Sequence, residues 1–303
     1  MCIWSAEMWM WLLPVIVIVI AGFMVYQYIA QRLLQVETLT IHPTRAQLFA
    51  DELPRRVVFF SDLHNHMFGQ DNKRLVEAIR AQEPDLILIP GDLLVGHRAH
   101  FEVAARLLQD LAKLGKPIYI SLGNHESGTR EHHPDLYEEF LQDSVHDNIH
   151  ILDNRTEYIA EHVAVCGLTL PMSVYSKRGR RVSITQEDME KITPQPRKED
   201  FRILMAHTPY YFDTYAEYGA DLVLSGHIHG GIVRFPLLGG LISPQMELFP
   251  EYDAGVYEKN GAMMVVTRGL GTHFPPIRIA NRPELIVLQF KVEDPKDPCN
   301  DTV

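Results

Sequence analysis

Cysteine is scarce in this 303-residue chain, and the three present, Cys2, Cys166 and Cys299, lie far apart. No two stand at zinc-ribbon or redox spacing, which excludes a disulfide-stapled scaffold. Cys166 falls inside the apolar run 163–168 and reads as a small buried hydrophobe. An excess of basic residues is also lacking. Lys and Arg number 28 against 39 Asp and Glu, a net charge of -11 with His neutral, so no global positive field exists to hold nucleic acid, and none is expected as a partner. Internal repeats, heptads and low-complexity tracts are missing, which removes solenoids, coiled coils and disordered linkers. What remains is 46% hydrophobic and 22% charged, the balance of a globular protein with room for one sizeable α/β domain and an appendage.

Only one long apolar run occurs. From Met8 to Ala30 no residue is charged, and roughly 20 apolar residues suffice to cross a bilayer as a helix. Trp4, Trp9 and Trp11 lie at one end and Tyr26 and Tyr28 at the other, where amphipathic rings settle at the two interfaces. Pro14 is tolerable because a kink is compensated in a membrane helix. No Lys or Arg precedes the run and no small-x-small cleavage site follows it, so residues 1–30 read as a retained single-pass anchor rather than a cleaved signal. Arg32 and Arg45 follow the run, and the positive-inside rule then places the catalytic domain in the cytoplasm.

Residues 31–54 read as a connector and 55–292 as the main domain, with 293–303 as a frayed C-terminal tail. Strands are expected at 56–60, 85–90, 117–122, 149–152, 163–168, 201–206 and 221–225, with helices at 71–83, 101–114, 133–143 and 210–218 between them. Asp71 is the expected cap of the first of these helices. Alternation of short apolar strands with amphipathic helices is the rhythm of a layered α/β fold. Segments 255–258 and 262–268 flank Asn260-Gly261, a hairpin signal, and 284–292 is a further strand, so the last third reads as mainly antiparallel.

Chemistry-bearing residues recur just after these strands. Ser61-Asp62-Leu63-His64 follows the first, where residues i and i+2 of an extended end point the same way and share one ion. Gly91-Asp92, Gly123-Asn124-His125-Glu126, Ala206-His207-Thr208-Pro209 and Gly226-His227-Ile228-His229 follow four others. Any one of them alone is a turn or a half-buried histidine. Five strands each ending in a metal ligand, at the edge where α/β sheets build their sites, is a constellation.

Taken in order, Asp62-x-His64, Gly91-Asp92, Gly123-Asn124-His125-Glu126, His207 and Gly226-His227-x-His229 resemble the calcineurin-like metallophosphoesterase family. The resemblance implies an α/β fold, a four-layer α-β-β-α sandwich, here with an N-terminal transmembrane helix added. It also implies two divalent metal ions at one edge. One ion would take Asp62, His64 and His229, the other Asn124, His207 and His227, with Asp92 between them and His125 facing substrate as proton donor or phosphate orienter. Four imidazoles, two carboxylates and an amide oxygen suit Mn, Fe, Zn or Ni better than Ca. Two such ions would outweigh the carboxylates, attract a phosphate and acidify a water. Glu126 and Thr208 are candidates for supporting these ligands.

An anchored domain meets substrates at the bilayer surface, and the resemblance extends to members that cleave the pyrophosphate of UDP-2,3-diacylglucosamine in lipid A synthesis. A nucleotide-linked or lipid-linked substrate is therefore expected. The alternatives are a general phosphodiesterase or phosphatase on soluble substrates and a noncatalytic membrane scaffold. The basic loop Lys177, Arg178, Arg180 and Arg181 could meet anionic headgroups or a diphosphate, and Arg268, Arg278 and Arg282 lie in the closing segment.

Overall fold

The computed structural model describes residues 6–95, 101–175, 182–273 and 275–291. The basic loop at 177–181 and the tail at 293–303 lie outside them. A first helix, α1 (Ala6–Ala30), leads into β1 (Gln35–Ile41), which lies within the stretch read as a connector. Then follow β2 (Val57–Phe59), α2 (Lys73–Arg80), β3 (Leu86–Pro90), α3 (Glu102–Ala112), β4 (Ile118–Ser121), α4 (Asn124–His132), α5 (Pro134–Asp143) and β5 (Ile149–Ile151). The second half contains β6 (Arg155–Ala160), β7 (Val163–Leu168), α6 (Gln186–Ile192), β8 (Phe201–Ala206), α7 (Phe212–Tyr218) and β9 (Leu222–Ser225). It ends with β10 (Arg234–Phe235), β11 (Gly239–Gly240), β12 (Gly255–Lys259), β13 (Ala262–Val266) and β14 (Glu284–Phe290).

Among the described residues these strands form two six-stranded sheets, ordered β1-β14-β2-β3-β4-β5 and β12-β13-β9-β8-β7-β6, and a small β10-β11 hairpin. Strands buried on both faces are apolar at every position, as Leu-Ile-Leu-Ile in β3 shows. The period of two then divides them between layers. Val57, Phe59, Leu86 and Leu88 point between the sheets and meet Val163, Val165, Ile203 and Leu224. Val58, Ile87 and Ile89 point outward onto Leu75, Ile79, Leu107 and Leu111 of α2 and α3. Leu204, Val223 and Met264 of the second sheet pack on Met189, Phe212 and Tyr215 of α6 and α7. The result is the expected α-β-β-α sandwich.

Two differences from the sequence expectation have local causes. Asp71 does not cap α2: Asp71 and Asn72 are left-handed, with φ of 52° and 56°, and the Asn72 amide oxygen accepts the Phe68 N–H at 2.8 Å. The helix therefore starts at Lys73. The last third is not mainly antiparallel either. The Asn260-Gly261 turn does join antiparallel β12 and β13, but β13 runs parallel to β9 and β14 runs parallel to β1 while antiparallel to β2.

That last reversal matters for α1. Because β1 and β14 oppose β2, the start of β1 lies beside the carboxyl end of β2. The base of α1 is fastened there. Gln27 Oε1 accepts the Arg278 N–H at 2.8 Å, Gln31 Nε2 donates to the Pro276 carbonyl at 2.7 Å, and His66 Nε2 donates to the Gln31 carbonyl at 2.9 Å. Arg278 is itself fully buried and donates to the carbonyls of Arg268, Gly269 and Gly271, a structural role. Beyond its base, α1 holds the stretch Trp11–Ala30, with mean hydropathy 2.3, long and apolar enough to cross a membrane and almost wholly exposed.

The two sheets approach closely where Gly167 of β7 meets Leu152 just after β5. A Cβ at position 167 would collide with the Leu152 carbonyl and side chain. Gly167→Ala is therefore expected to lower stability by about 1–3 kcal/mol through overpacking, read as a fall in the denaturant midpoint. An unchanged midpoint would show that the sheets part freely at this edge.

Candidate metal centre

All five ligand-bearing loops leave the two sheets at one edge, three from the first sheet after β2, β3 and β4 and two from the second after β8 and β9. The chain does not simply run on extended there. Strand β2 stops at Phe59, three residues before Asp62, and Asp62, His64, Asp92, His227 and His229 all have positive φ, between 47° and 71°. Left-handed backbone is costly for side chains of this kind and survives where surrounding structure over-determines it. Side chains separated by two residues thus converge through a turn and not through strand periodicity, so the extended strand end expected to align Asp62 and His64 is not present.

Hydrogen bonds between loops hold these turns. The His227 N–H donates to both oxygens of Asp62, at 3.0 and 3.1 Å, joining the second sheet to the first. His207 Nδ1 donates to the Pro90 carbonyl at 2.8 Å, a second link between the sheets. The His125 N–H donates to Asp92 Oδ1 at 2.9 Å. A Cβ at Gly226 would overlap Asp62 Oδ2 and the Ser61 hydroxyl, so only glycine lets these loops meet.

The side chains converge as overlapping groups whose ligand atoms all lie within 4.8 Å of one another: Asp62 with His64 and His229, Asp92 with His207 and His227, and, joining these two, His64 with Asp92 and His125. His64 Nε2 is 3.0 Å from His229 Nε2 and 3.8 Å from Asp62 Oδ1, and His229 Nε2 is 3.4 Å from the same oxygen. Asp92 Oδ2 is 2.9 Å from His207 Nε2 and 3.8 Å from His64 Nε2, so it stands between the groups. His125 Nε2 is 4.0 Å from that oxygen, and its ring packs edge-on against His64 at the outer rim. Asn124 lines the same small cavity.

This cluster fits cations. Burial, partly offset by His207, pushes the Asp62 carboxyl up to about 6. Burial pulls His64 down to about 3 and holds His227 and His229 well below the usual range, so their imidazoles are neutral with lone pairs to offer. Burial opposes a charge on His207 too, but Asp92 and Asp62 outweigh it and hold that ring up at about 9. Positive charge is wanted at that point, and a divalent ion supplies it in place of a proton. Asn124 Oδ1 and His229 Nδ1 are buried without hydrogen-bond partners, and the first is an atom a borderline metal would take. The chain therefore carries two His/Asp clusters suited to divalent metal ions.

Glu126 lies one layer out. Its buried carboxylate accepts the Asp92 and Gly123 N–H groups at 2.8 and 2.9 Å through one oxygen and the Leu94 N–H at 2.8 Å through the other. It clamps the loops after β3 and β4 and so fixes Asp92. Thr208 instead caps the turn that follows it, accepting the Tyr210 N–H at 3.5 Å. Tyr175, Gln245 and His273 were not foreseen. Tyr175 packs edge-on to His227 at 5.1 Å, the Gln245 amide contacts His227 Nε2, and His273 faces His125 and His229 at 6.4 and 6.2 Å. None sits in a repeated spacing, so only its place in the fold reveals it. Glu126→Gln replaces one accepting oxygen with an amide donor and is expected to weaken metal affinity about 10–100-fold. Titrating Mn or Zn into metal-free protein checks this, and equal affinities would reduce Glu126 to a packing role.

The calcineurin-like phosphoesterase family matches this chain over residues 55–231, more than half its length. An "Uncharacterized metallophosphoesterase" of Aquifex aeolicus is 27% identical over 278 residues, 88% of this chain and 95% of that one. "Phosphodiesterase YaeI" of Escherichia coli is 27% identical over 253 residues, 81% and 86% of the two chains. A "Transmembrane protein with metallophosphoesterase domain" of Danio rerio is 30% identical over 249 residues, 78% of this chain and 53% of that protein. The matched span runs across every loop that delivers a carboxylate or imidazole to the paired clusters, and the chain belongs to the calcineurin-like phosphoesterases as a metal-dependent phosphoester hydrolase.

Proposed function

We propose that this chain is a membrane-anchored two-metal phosphodiesterase. The observation that carries the reading is the placement of Asp92, whose Oδ2 lies within ligand distance of imidazoles from both clusters. Two divalent ions held there supply Lewis-acid charge for a phosphoryl group and an acidified water as nucleophile. On this reading Asp62, His64 and His229 hold one ion, Asn124, His207 and His227 the other, and Asp92 both. His125, at the rim, orients the phosphate and protonates the leaving oxygen. The preformed loops hold this geometry before substrate arrives, which is how electrostatic catalysis avoids reorganisation.

Support for a diester comes from the E. coli relative named a phosphodiesterase. Support for the anchor comes from the exposed apolar length of α1 and from the Danio rerio relative named a transmembrane protein. Arg32 at the base of α1 supports a cytoplasmic side for the catalytic domain. The narrower substrate suggested by sequence, UDP-2,3-diacylglucosamine, is less supported, because the paired clusters select for phosphoryl chemistry and not for a leaving group.

Detergent-solubilised full-length protein with Mn should hydrolyse bis(p-nitrophenyl) phosphate, and chelator should abolish this until metal is restored. His125→Ala should keep its metal while kcat falls about 10²–10⁴-fold, the usual worth of a positioned acid. Asp92→Ala should lose both metal and turnover. Equal rates in wild type, both variants and chelated protein would establish a noncatalytic scaffold. A parallel panel of phosphomonoesters, diesters and UDP-2,3-diacylglucosamine ranks the substrate classes.

A further inference from the structure

Between the metal centre and the base of α1 lies a surface that the phosphodiesterase reading does not use. Strands β10 and β11 form a hairpin whose turn presents Phe235, Leu237 and Leu238 to solvent, Leu237 at 105% relative exposure. The loop that follows adds exposed Met246, Leu248 and Phe249. No charged residue interrupts the chain from Phe235 to Met246. A contiguous group of large apolar side chains held out in this way marks a surface awaiting an apolar partner.

The position of the hairpin says which partner. The Arg234 N–H donates to the Ile279 carbonyl at 3.0 Å, and the next residue, Ala280, donates its N–H to the Tyr26 hydroxyl of α1 at 3.2 Å. Ala280 lines both the groove against α1, with Tyr26 and Ile29, and the groove under the hairpin, with Phe235 and Leu237. One exposed residue thus separates the apolar turn from the last turns of the apolar helix. Arg282 faces the groove at the foot of α1, and Arg32 stacks over the Tyr28 ring at 3.8 Å, at the level where arginine meets anionic headgroups. At its other end the same segment reaches the metal centre, where Pro244 and Gln245 line the cavity with Asp92 and His227.

We propose that the β10-β11 hairpin and the loop bearing Met246 and Phe249 seat in the bilayer that α1 spans, so that the metal centre opens onto the membrane surface. This rests on the reading of α1 as a membrane helix. An element of this kind needs only shallow insertion of its apolar side chains, since α1 already supplies the anchor and the hairpin adds orientation. A chain fixed at two points cannot swing about the end of its helix. The site then meets phosphodiesters presented at the bilayer surface in preference to those in bulk water.

The test uses the full-length chain in phosphatidylcholine–phosphatidylglycerol vesicles, with Cys2→Ser and Cys299→Ser leaving only buried Cys166. Bimane is attached at Leu237→Cys and, separately, at Val145→Cys, an exposed site in the turn between α5 and β5 at the opposite edge of the first sheet. Nitroxide-labelled lipid should quench the probe at 237 at least about threefold more than that at 145, and iodide the reverse, as for side chains buried among acyl chains. Flotation of the vesicles and turnover of the soluble chromogenic diester are read on the same samples. Chain that floats and turns over substrate, but shows iodide quenching at 237 equal to that at 145, overturns this proposal alone. Chain that does not float overturns the anchor and the hairpin insertion together and leaves the phosphodiesterase reading standing.

Discussion

Two buried carboxylates govern this molecule. Asp62 and Asp92 are almost wholly removed from water, and an ionised carboxylate in such a place is tolerable only when donors and cations surround it. The fold answers with backbone. Asp62 takes the His227 N–H from across the sandwich, and Asp92 takes the His125 N–H from the neighbouring loop. These bonds satisfy only part of each carboxylate; of the imidazoles around them burial keeps His64, His227 and His229 neutral, and His207, 2.9 Å from Asp92 Oδ2, is held in its charged form by the two carboxylates. A cluster of that kind is short of positive charge, and filling the shortage with divalent ions is what turns a strained sheet edge into a phosphoryl-binding centre.

The same constraint accounts for the backbone. Five ligand residues with positive φ would be a costly set if they were independent. They are held as one unit, because the loops that carry them bond to each other across both sheets and Glu126 closes the arrangement from behind with three accepted N–H groups. The strain is placed where flexibility would cost most, at the residues that would hold the divalent ions. The sandwich beneath, with apolar contact on both faces of each sheet, is the rigid body against which the strain is held.

Much of this was legible from residue order, for identifiable reasons. Strands such as Leu86–Pro90 and Leu222–Ser225 are buried on both faces and read as unbroken apolar runs. Each is followed by a ligand, so the site edge could be seen before any coordinates. What residue order conceals is long-range pairing. β1 looks like a spacer because its partner, β14, follows nearly 250 residues later and the strand is only partly buried. The start of α2 was misplaced because Asn72 spends its amide on Phe68 and His66, a preference no local propensity records. Tyr175, Gln245 and His273 reach the centre from irregular segments, where spacing carries no information about direction.

The reversed pair β1 and β14 also changes what the apolar N-terminal run means. Read alone, α1 is an appendage tied to a domain through a flexible connector, and its attachment would leave the catalytic face free to point anywhere. In the fold there is no slack. Gln27 and Gln31 bond to the segment 276–278 and to His66, two residues beyond His64, and β1 enters the sheet beside the end of β2. Had β14 run parallel to β2, the helix would emerge at the opposite end of the sandwich, away from the metal-ligand cluster. The direction of one strand pair therefore decides at which end of the sandwich the apolar helix emerges, and here it emerges beside the metal-ligand cluster.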